Sequence, residues 1–342
     1  MQKTPSDAYT WHHQEPIMKN TSVSSLASIT LILFFAGCGS SPEAKKNQTH
    51  KTTKGVIGVS LLTLENPFFR VIGDNITKAA KEHGYETIVL SADRDVAKQS
   101  NQIKDFLVRK VSALVLSPCE SRGIVPSIKE ANSAGIPVFT VDIPCKEPGI
   151  QIVSQIATDN FGGGKEAATA MIEALGTEGG KIAIIDLKQA ESCRLRVQGF
   201  KEVIEKHNAS GKTKILIATE LDGGGLKDQG FKATEDALQA HPDLRGIFAI
   251  NDPSALGARA ALEKAQKENK IAIIGFDGQP EGKQAIKEGK IYADPIQFPD
   301  RMGREMFQAF LKYSKGEEVR PELLIPTSLY RKSDALKDPE LK

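Results

Sequence analysis

The sequence predicts an α/β protein of two lobes, each built on a doubly wound parallel sheet, with a hinge between them. Three observations lead to this prediction. Apolar strand patterns alternate with amphipathic helix patterns, the connections between them are short, and the alternation starts again near Asp159. A strand that returns to its sheet through a helix runs parallel to its predecessor, with a right-handed crossover.

The first half of this alternation begins with a continuous apolar run at residues 56–62, which is typical of a strand covered on both faces. A helix follows at 68–83, because apolar residues recur at helical spacing and Gly84 stands in the C-cap position. The same reasoning assigns the remaining elements of this half. They are strands at 87–90, 113–116 and 137–141, and helices at 96–108 and 124–134.

The second half repeats the order of the first. Its predicted helices are 161–175, 194–207 and 226–240, and its predicted strands are 181–185, 215–218, 246–250 and 271–276. The glycine run 162–164 opens the first of these helices, followed by Lys165. We interpret it as a helix start packed near the hinge rather than as a phosphate-binding loop.

Composition excludes several classes of function. The chain has 342 residues, of which 40% are hydrophobic and 26% charged, and its formal net charge is +2 with Lys and Arg spread along the sequence. That charge distribution gives no basic patch for nucleic acid. The sequence carries neither a P-loop, nor a His-Glu-x-x-His motif, nor a Gly-x-Gly-x-x-Gly after the first strand, so we expect neither an enzyme nor a bound cofactor. Its cysteines lack the close pairs of a zinc site, and no metal is expected.

The N-terminal part reads as an export segment. Residues 1–37 comprise an N-terminal extension and a signal peptide, which has a basic start at Met18-Lys19 and an uncharged stretch at 28–36. We interpret the residues before Met18 as the result of an upstream choice of start codon rather than as a domain. The sequence Phe35-Ala36-Gly37-Cys38 resembles a bacterial lipobox, which implies lipid attachment at Cys38; a plain signal peptide with an incidental cysteine is the alternative. Residues 38–53 are polar and form the predicted flexible tether.

Polar side chains stand at the carboxyl ends of five predicted strands. Ligands of open parallel sheets bind outside these ends. Each such residue could instead cap the following helix or form a turn. Together with Phe68 and Phe69 they are the residue types that bind a hydroxyl-rich ligand with apolar C–H faces. The five are Asn66, Ser117, Asp142, Asn251 and Asp277.

The ordered motifs of residues 54–330 resemble the periplasmic sugar-binding proteins of ABC importers, and within them the ribose-binding branch. The resemblance implies the type I periplasmic binding protein fold. The motifs are Asn66-Pro67-Phe68-Phe69, Leu116-Ser117-Pro118, Val141-Asp142, Ala157-Thr158-Asp159-Asn160, Arg194-Leu195-Arg196-Val197-Gln198-Gly199-Phe200, His241-Pro242-Asp243, Phe248-Ala249-Ile250-Asn251-Asp252, Gly275-Phe276-Asp277-Gly278 and Gln297-Phe298-Pro299-Asp300.

The resemblance also implies a ligand site between the lobes. Asn66 would bind ligand hydroxyls, Phe68 and Phe69 would pack on the sugar ring, and Asp142 would accept hydrogen bonds from the first lobe. On the second lobe Arg196 would donate hydrogen bonds to the ligand, Asp277 would accept them, and Asn251 would both donate and accept. Gln297 would lie at the hinge. We expect the first lobe to comprise residues 54–157 and 298–326, and the second residues 158–297 and 327–342.

Three departures from the ribose-binding pattern leave the ligand open. Ser117 replaces an asparagine, Ile143 replaces an arginine after the aspartate, and the segment 222–225 lacks the aromatic residue of the second lobe. The loss of one charged donor changes affinity by roughly 1.5–3 kcal/mol, enough to favour another pentose, a deoxy sugar or a polyol.

Cys119 and Cys145 each follow the end of a predicted strand, on strands expected to be neighbours. Because export permits oxidation, we expect a disulfide between them beside the cleft. The alternative is that these two and Cys193 are buried, unpaired thiols.

The preferred function is an extracytoplasmic, lipid-anchored monomer that captures a small sugar, with ribose-like pentoses favoured, and docks on an ABC permease. Membrane contact would come only through the N-terminal lipid. Two alternatives use the same fold. The closed form could be read by a chemoreceptor or sensor kinase, or the core could belong to a transcriptional repressor, although the region before it has a signal and a tether where a helix-turn-helix would be needed.

Overall fold

The computed structural model describes residues 53–211 and 213–341. The predicted export segment, Cys38 and nearly all of the tether lie outside these residues. The strands are Val56–Leu61 (β1), Glu86–Ser91 (β2), Ala113–Leu116 (β3), Val138–Val141 (β4), Ser154–Thr158 (β5), Gly180–Asp186 (β6), Ile215–Asp222 (β7), Leu244–Ala249 (β8), Ala272–Ile274 (β9), Ala293–Ile296 (β10), Glu322–Ile325 (β11) and Ser328–Arg331 (β12). The helices are Pro67–Glu82 (α1), Val96–Val108 (α2), Val125–Ser133 (α3), Asn160–Leu175 (α4), Glu191–Ala209 (α5), Lys227–Ala240 (α6), Asp252–Lys264 (α7), Pro280–Lys287 (α8), Pro299–Ser314 (α9) and Lys332–Ala335 (α10).

These elements form two six-stranded sheets. The first has the order β11-β5-β4-β3-β1-β2 with every neighbouring pair parallel, and the second has the order β12-β10-β9-β8-β6-β7. In the second sheet only the edge strand β12 runs antiparallel, against β10. The predicted α/β architecture of two mainly parallel sheets is confirmed. The short strands β5, β10, β11 and β12 have no strong apolar run and were not predicted.

The chain passes between the two sheets three times. The connections are β5 to α4 at residues 158–160, β10 to α9 at 296–299, and β11 to β12 at 325–328. Gln297 lies in the second connection, which is where a hinge residue is expected. The exact lobe boundaries given above remain predictions.

The first strand is buried because both of its faces are covered. Residues 57–61 are all buried. On one face Gly58 allows a close approach of α2, since a Cβ on this glycine would lie 2.7 Å from the ring of Phe106. The continuous apolar pattern of β1 therefore reflects helices on both sides of the sheet.

Helices α4 and α5 of the second lobe pack with their backbones in near contact. A Cβ on Gly164 would lie 2.0 Å from the carbonyl oxygen of Arg196, and a Cβ on Gly199 would lie 2.1 Å from that of Phe161. The predicted close-packed helix start at 162–164 is thus where the structure brings α4 against α5. This contact fixes the position of Arg196 relative to the hinge.

The cysteine prediction needs correction, because Cys119, Cys145 and Cys193 are free and buried. The Sγ of Cys145 donates to the carbonyl oxygen of Ser121 at 2.9 Å. Cys119 belongs to the apolar cluster that contains Phe68 and Phe69, while Cys145 belongs to a separate cluster around Phe106. Neighbouring strands do place the two residues close in the sheet, but their side chains enter different parts of the core.

None of the helices within the described residues is both long and apolar enough to cross a membrane.

Candidate ligand-binding cleft

A polar cleft lies between the two lobes at the carboxyl ends of their strands. It encloses a cavity of about 40 Å³. The residues that line it are Leu62, Asn66, Phe68, Phe69, Arg94, Asp142, Ile143, Leu187, Ala190, Ser192, Cys193, Arg196, Asn251, Asp277 and Gln297. Eight of the nine ligand-binding residues predicted from the sequence are in this set.

Ser117 is the exception. Its side chain is 0% exposed, it does not line the cleft, and its Oγ has no hydrogen-bond partner among the described residues. Ser117 directly follows β3 and is buried there, and its carbonyl oxygen accepts from Nε2 of Gln99 at 3.0 Å. Its role as a ligand contact therefore remains a prediction.

Asn66 begins α1 and also lines the cleft. Its Oδ1 accepts from the backbone N–H of Phe68 at 2.9 Å, so the capping interpretation is correct for this residue. The cap fixes the side chain and leaves the Nδ2 group as the donor available to a ligand. Phe68 and Phe69 follow immediately, with ring centroids 5.3 Å apart and planes at 84°. One edge and one face are thus presented from the start of a single helix.

Asp142 follows β4 and is held in an unusual backbone conformation. Its φ is +67°, and its N–H donates to the carbonyl oxygen of Ile156 at 2.8 Å. The side chain is 4% exposed, and Oδ1 has no partner among the described residues. Burial raises the pKa of Asp142 to about 7, against the opposing charge of Arg196. The carboxyl group is therefore an acceptor whose hydrogen bonds the fold leaves unmade.

Arg196 is the centre of the hydrogen-bond network on the second lobe. Its Nε donates to Oδ1 of Asn160 at 2.8 Å. Its Nη1 donates to the carbonyl oxygen of Ile250 at 2.6 Å and to Oδ1 of Asp277 at 3.1 Å. The guanidinium lies 3.8 Å from the ring centroid of Phe276. These contacts satisfy most of a buried charge, as a buried ion pair requires.

Asp277 and Gln297 join the network to the hinge. Gln297 donates through Nε2 to Oδ1 of Asp277 at 2.6 Å and accepts through Oε1 from Thr158 at 2.6 Å. Because Thr158 ends β5 and Gln297 follows β10, this chain of bonds spans two of the three connections. Asp277 also has a positive φ, +106°.

Asn251 both caps a helix and faces the cleft. Its Oδ1 accepts from the N–H of Ser254 at 3.0 Å, and its Nδ2 donates to the carbonyl oxygen of Gly225 at 3.1 Å. The cleft therefore combines donors and acceptors from both lobes in fixed orientations. Hydroxyl groups, which both donate and accept, are the ligand chemistry that such a set matches.

Arg94 is a cleft residue that the sequence did not indicate. It lies in the loop after β2, and its Nη1 donates across the cleft to the carbonyl oxygen of Gly224 at 3.1 Å. This loop follows the carboxyl end of a strand, where ligands of parallel sheets bind, and could have been considered for that reason. The positive φ of Arg94, +63°, which orients its side chain, cannot be read from the sequence. Ile143, Leu187, Ala190, Ser192 and Cys193 also line the cleft without having been predicted.

Aromatic side chains line the cleft from one side only. Phe68 and Phe69 of the first lobe are the aromatic residues among those that line the cleft. The segment 222–225 consists of an aspartate and three glycines and is not part of this lining. A side chain on Gly223 would meet Ile185, since a Cβ there would lie 2.3 Å from Cγ2 of Ile185. The sequence predicted that no aromatic ring of the second lobe faces Phe68 and Phe69 across the cleft, and the residues that line the cleft agree with this.

A larger cavity, of about 670 Å³, lies on the second lobe away from the strand ends. Its two arginines are paired with carboxylates, Arg245 with Glu178 at 2.7 Å and Arg331 with Glu173 at 2.8 Å. The smaller cleft is the better candidate, because buried and partly unsatisfied polar groups converge there.

The fold and the cleft define a bilobal solute-binding protein. The chain belongs to the periplasmic binding protein family, whose model, described as "Periplasmic binding protein domain", matches residues 57–318. It is 33% identical over 276 residues to the ribose import binding protein RbsB of Escherichia coli, covering 81% of this chain and 90% of that protein. It is 31% identical over 313 residues to a D-apiose import binding protein of Paraburkholderia graminis, with 91% and 95% covered.

A solved structure shows the same architecture. The solute-binding protein of an ABC transporter from Mycobacterium smegmatis, crystallised with glycerol, superposes with a TM-score of 0.76 at 31% identity, over 83% of this chain and 96% of that one. The relatives are binding proteins of importers, and this agrees with a role in binding rather than catalysis.

Proposed function

We propose that this protein captures a neutral polyhydroxylated compound between its lobes, with ribose-like pentoses favoured, and delivers it to an ABC permease. The observation that supports this most directly is the set of buried donors and acceptors, Asn66, Asp142, Arg196, Asn251 and Asp277, next to two aromatic rings. Hydroxyl groups match the polar set, and the C–H face of a sugar ring matches the phenylalanines. Relatives named for ribose and D-apiose import support a pentose.

The departures at positions 117 and 143 bear on which pentose binds. Ser117 is buried outside the lining of the cleft, and Ile143, 2% exposed, offers an apolar contact in that lining. An apolar residue at position 143 favours a ligand with fewer hydroxyl groups facing the first lobe, such as a deoxy sugar. The binding preference is therefore to be measured across the class rather than assumed to be ribose.

The first test is a thermal-shift and calorimetry screen of the purified protein with D-ribose, D-apiose, D-allose, D-fucose, myo-inositol and glycerol. We expect at least one pentose or polyol to raise the melting temperature, and to raise it further as its concentration increases, because a ligand that binds only the folded state stabilises it. If none of these neutral compounds has an effect, the proposal is wrong.

The matched variant is Asp142→Asn, which keeps the shape of the side chain but replaces an acceptor oxygen by a donor. We expect it to weaken the binding of the stabilising sugar by roughly 10- to 100-fold, as for other hydrogen bonds to charged groups. Asp236→Asn, on the exposed side of α6, is the control and should bind as the wild type does. Asp277→Ala is less informative, because it would leave the buried guanidinium of Arg196 without its partner at 3.1 Å and so destabilise the fold.

We further propose that the protein is exported and anchored by a lipid at Cys38, acting as a monomer in the extracytoplasmic space. The lipobox-like sequence 35–38 and the polar tether support this, as does the family. In a bacterial host, Cys38→Ser should move the protein from the membrane fraction to the soluble fraction. Cys193→Ser, at a buried position, is the control and should stay with the membrane; equal fractionation of Cys38→Ser and wild type would contradict the anchor.

The alternative output is presentation of the closed form to a chemoreceptor or sensor kinase. It uses the same cleft and differs only in the docking partner. Uptake of the stabilising sugar in a strain lacking this protein separates the two outputs, since a transport protein is required for uptake and a sensor protein is not.

A further inference from the structure

Arg94 is a residue of the first lobe whose side chain contacts the second lobe across the cleft. The residue belongs to the first lobe, between β2 and α2. Its guanidinium reaches the glycine turn 223–225 of the second lobe, with Nη1 at 3.1 Å from the carbonyl oxygen of Gly224 and Nη2 at 3.5 Å from that of Gly225. Gly225 is in turn the residue whose carbonyl accepts from Asn251.

The third nitrogen of this guanidinium is left without a partner. Nε of Arg94 is buried and makes no hydrogen bond within the part of the chain that the structure describes. Arg94 lines the same cavity as Asn66, Asp142 and Asn251. A buried, charged donor without an acceptor is costly, and a ligand oxygen would remove that cost.

The backbone supports a role in binding. Within the described residues six non-glycine residues have positive φ, and three of these, Arg94, Asp142 and Asp277, line the cleft. Asp93, next to Arg94, is another, with a φ of +51°. Unfavourable backbone conformations of this kind concentrate at ligand sites, because surrounding structure must hold them in place.

The glycines of the turn 223–225 leave room for the side chain of Arg94. A Cβ on Gly225 would lie 3.2 Å from Nδ2 of Asn251 and 3.7 Å from Nη1 of Arg94, so a larger residue there would crowd both. Gly224 and Gly225 also have positive φ, +57° and +63°. On the first lobe Ile143 provides no donor, so the positive charge that faces the ligand from this lobe comes from Arg94.

We propose that Arg94 is a specificity-determining residue of the cleft, which joins the lobes through the turn 223–225 and donates from Nε to an oxygen of the bound ligand. This inference rests on the proposed function. The acceptor is a hydroxyl or ring oxygen of a polyhydroxylated ligand, and compounds that lack an oxygen at that point are bound more weakly.

The test uses Arg94→Met and Arg94→Lys with the sugar from the screen that binds the wild type most tightly. We expect roughly a 10- to 100-fold loss of affinity for Arg94→Met. Arg94→Lys should also bind more weakly, because an ammonium keeps the charge but has neither Nε nor the planar fork. Arg122→Met is the matched control: it removes an exposed guanidinium of the same lobe, 3.3 Å from Glu147, and should bind as the wild type does.

A set of deoxy analogues of that sugar separates a direct contact from a structural effect. One analogue should bind the wild type more weakly than the parent sugar, yet bind Arg94→Met as well as the parent does, because the oxygen it lacks is the partner of Arg94. If Arg94→Met binds the parent sugar with wild-type affinity, or loses affinity equally for every analogue, this inference is wrong and the proposed function stands. If the wild type binds no compound of the screen, the proposed function itself fails and this inference fails with it.

Discussion

At the scale of single residues, the second lobe contains a carboxyl pair that no cation balances. Asp252 and Asp294 are 1% and 0% exposed, and their carboxyl groups are close enough for each to shift the pKa of the other. Neither oxygen of Asp294 has a donor among the other described residues. Two neighbouring buried carboxylates cannot both be ionised without large cost, so we expect the pair to share one proton.

The pair makes stability depend on pH. Burial raises the pKa of Asp294 to about 6 and that of Asp252 well above its ordinary value. Because these folded-state pKa values lie above the unfolded value of 3.8, the stabilising contribution is complete below about pH 4 and is lost as the pH rises through about 6. Asp142, whose pKa is raised to about 7, acts in the same direction.

We therefore expect Asp294→Asn to raise the free energy of unfolding at pH 8 by on the order of 1–3 kcal/mol and to change it little at pH 4.5. The amide is neutral at every pH and can still hydrogen-bond to Asp252. Urea denaturation at the two pH values measures the effect, with the exposed Asp236→Asn as control. A variant that is no more stable than the wild type at pH 8 would contradict the shared proton.

At the scale of secondary-structure elements, the close packing of α4 on α5 positions the arginine of the cleft. Gly164 faces the backbone of Arg196 itself, and Asn160 at the start of α4 accepts from Nε of Arg196 at 2.8 Å. A helix pair in backbone contact has no side chain that could yield, so any added volume must move one helix.

Gly164→Ala should therefore reduce stability and ligand affinity together. The added methyl group would lie 2.0 Å from the carbonyl oxygen of Arg196 and force α5 outward. Such overpacking costs about 1–3 kcal/mol. Thr169→Ala, on the exposed side of α4, is the control. Denaturation and calorimetry on both variants check the prediction, and an unchanged affinity in Gly164→Ala would show that Arg196 does not depend on this contact.

At the scale of the whole molecule, the three connections between the sheets define how it can move. They are residues 158–160, 296–299 and 325–328, and the hydrogen bond of Gln297 to Thr158 joins the first two of them. Short parallel connections of this kind allow a hinge motion that opens and closes the cleft. A ligand that contacts both lobes favours the closed form, since it binds that form more tightly.

Small-angle X-ray scattering should detect this change. We expect the radius of gyration of the protein to fall when the sugar that stabilises it is added. Asp142→Asn at the same sugar concentration should show little change, because it binds more weakly. A rise in melting temperature without any change in the radius of gyration would mean that the ligand binds without closure of the lobes.

The sequence by itself determined the architecture and most of the cleft. Continuous apolar runs such as 56–62 define strands buried on both faces, helical spacing defines the covering helices, and the strand ends of a parallel sheet meet at one edge, so Asn66, Asp142, Asn251 and Asp277 could be placed together. These are local patterns with a fixed geometric consequence.

Tertiary structure alone decided the rest. Arg94 reaches the cleft through a positive φ and a contact with a turn 130 residues away, and the carboxyl pair forms between α7 and β10, so neither follows from local spacing. Packing placed Cys119 and Cys145 in different clusters and left Ser117 out of the cleft lining, although all three stand just beyond strand ends. The physical reason is that a strand end fixes where a residue is, while backbone torsion and packing against distant elements fix where its side chain points.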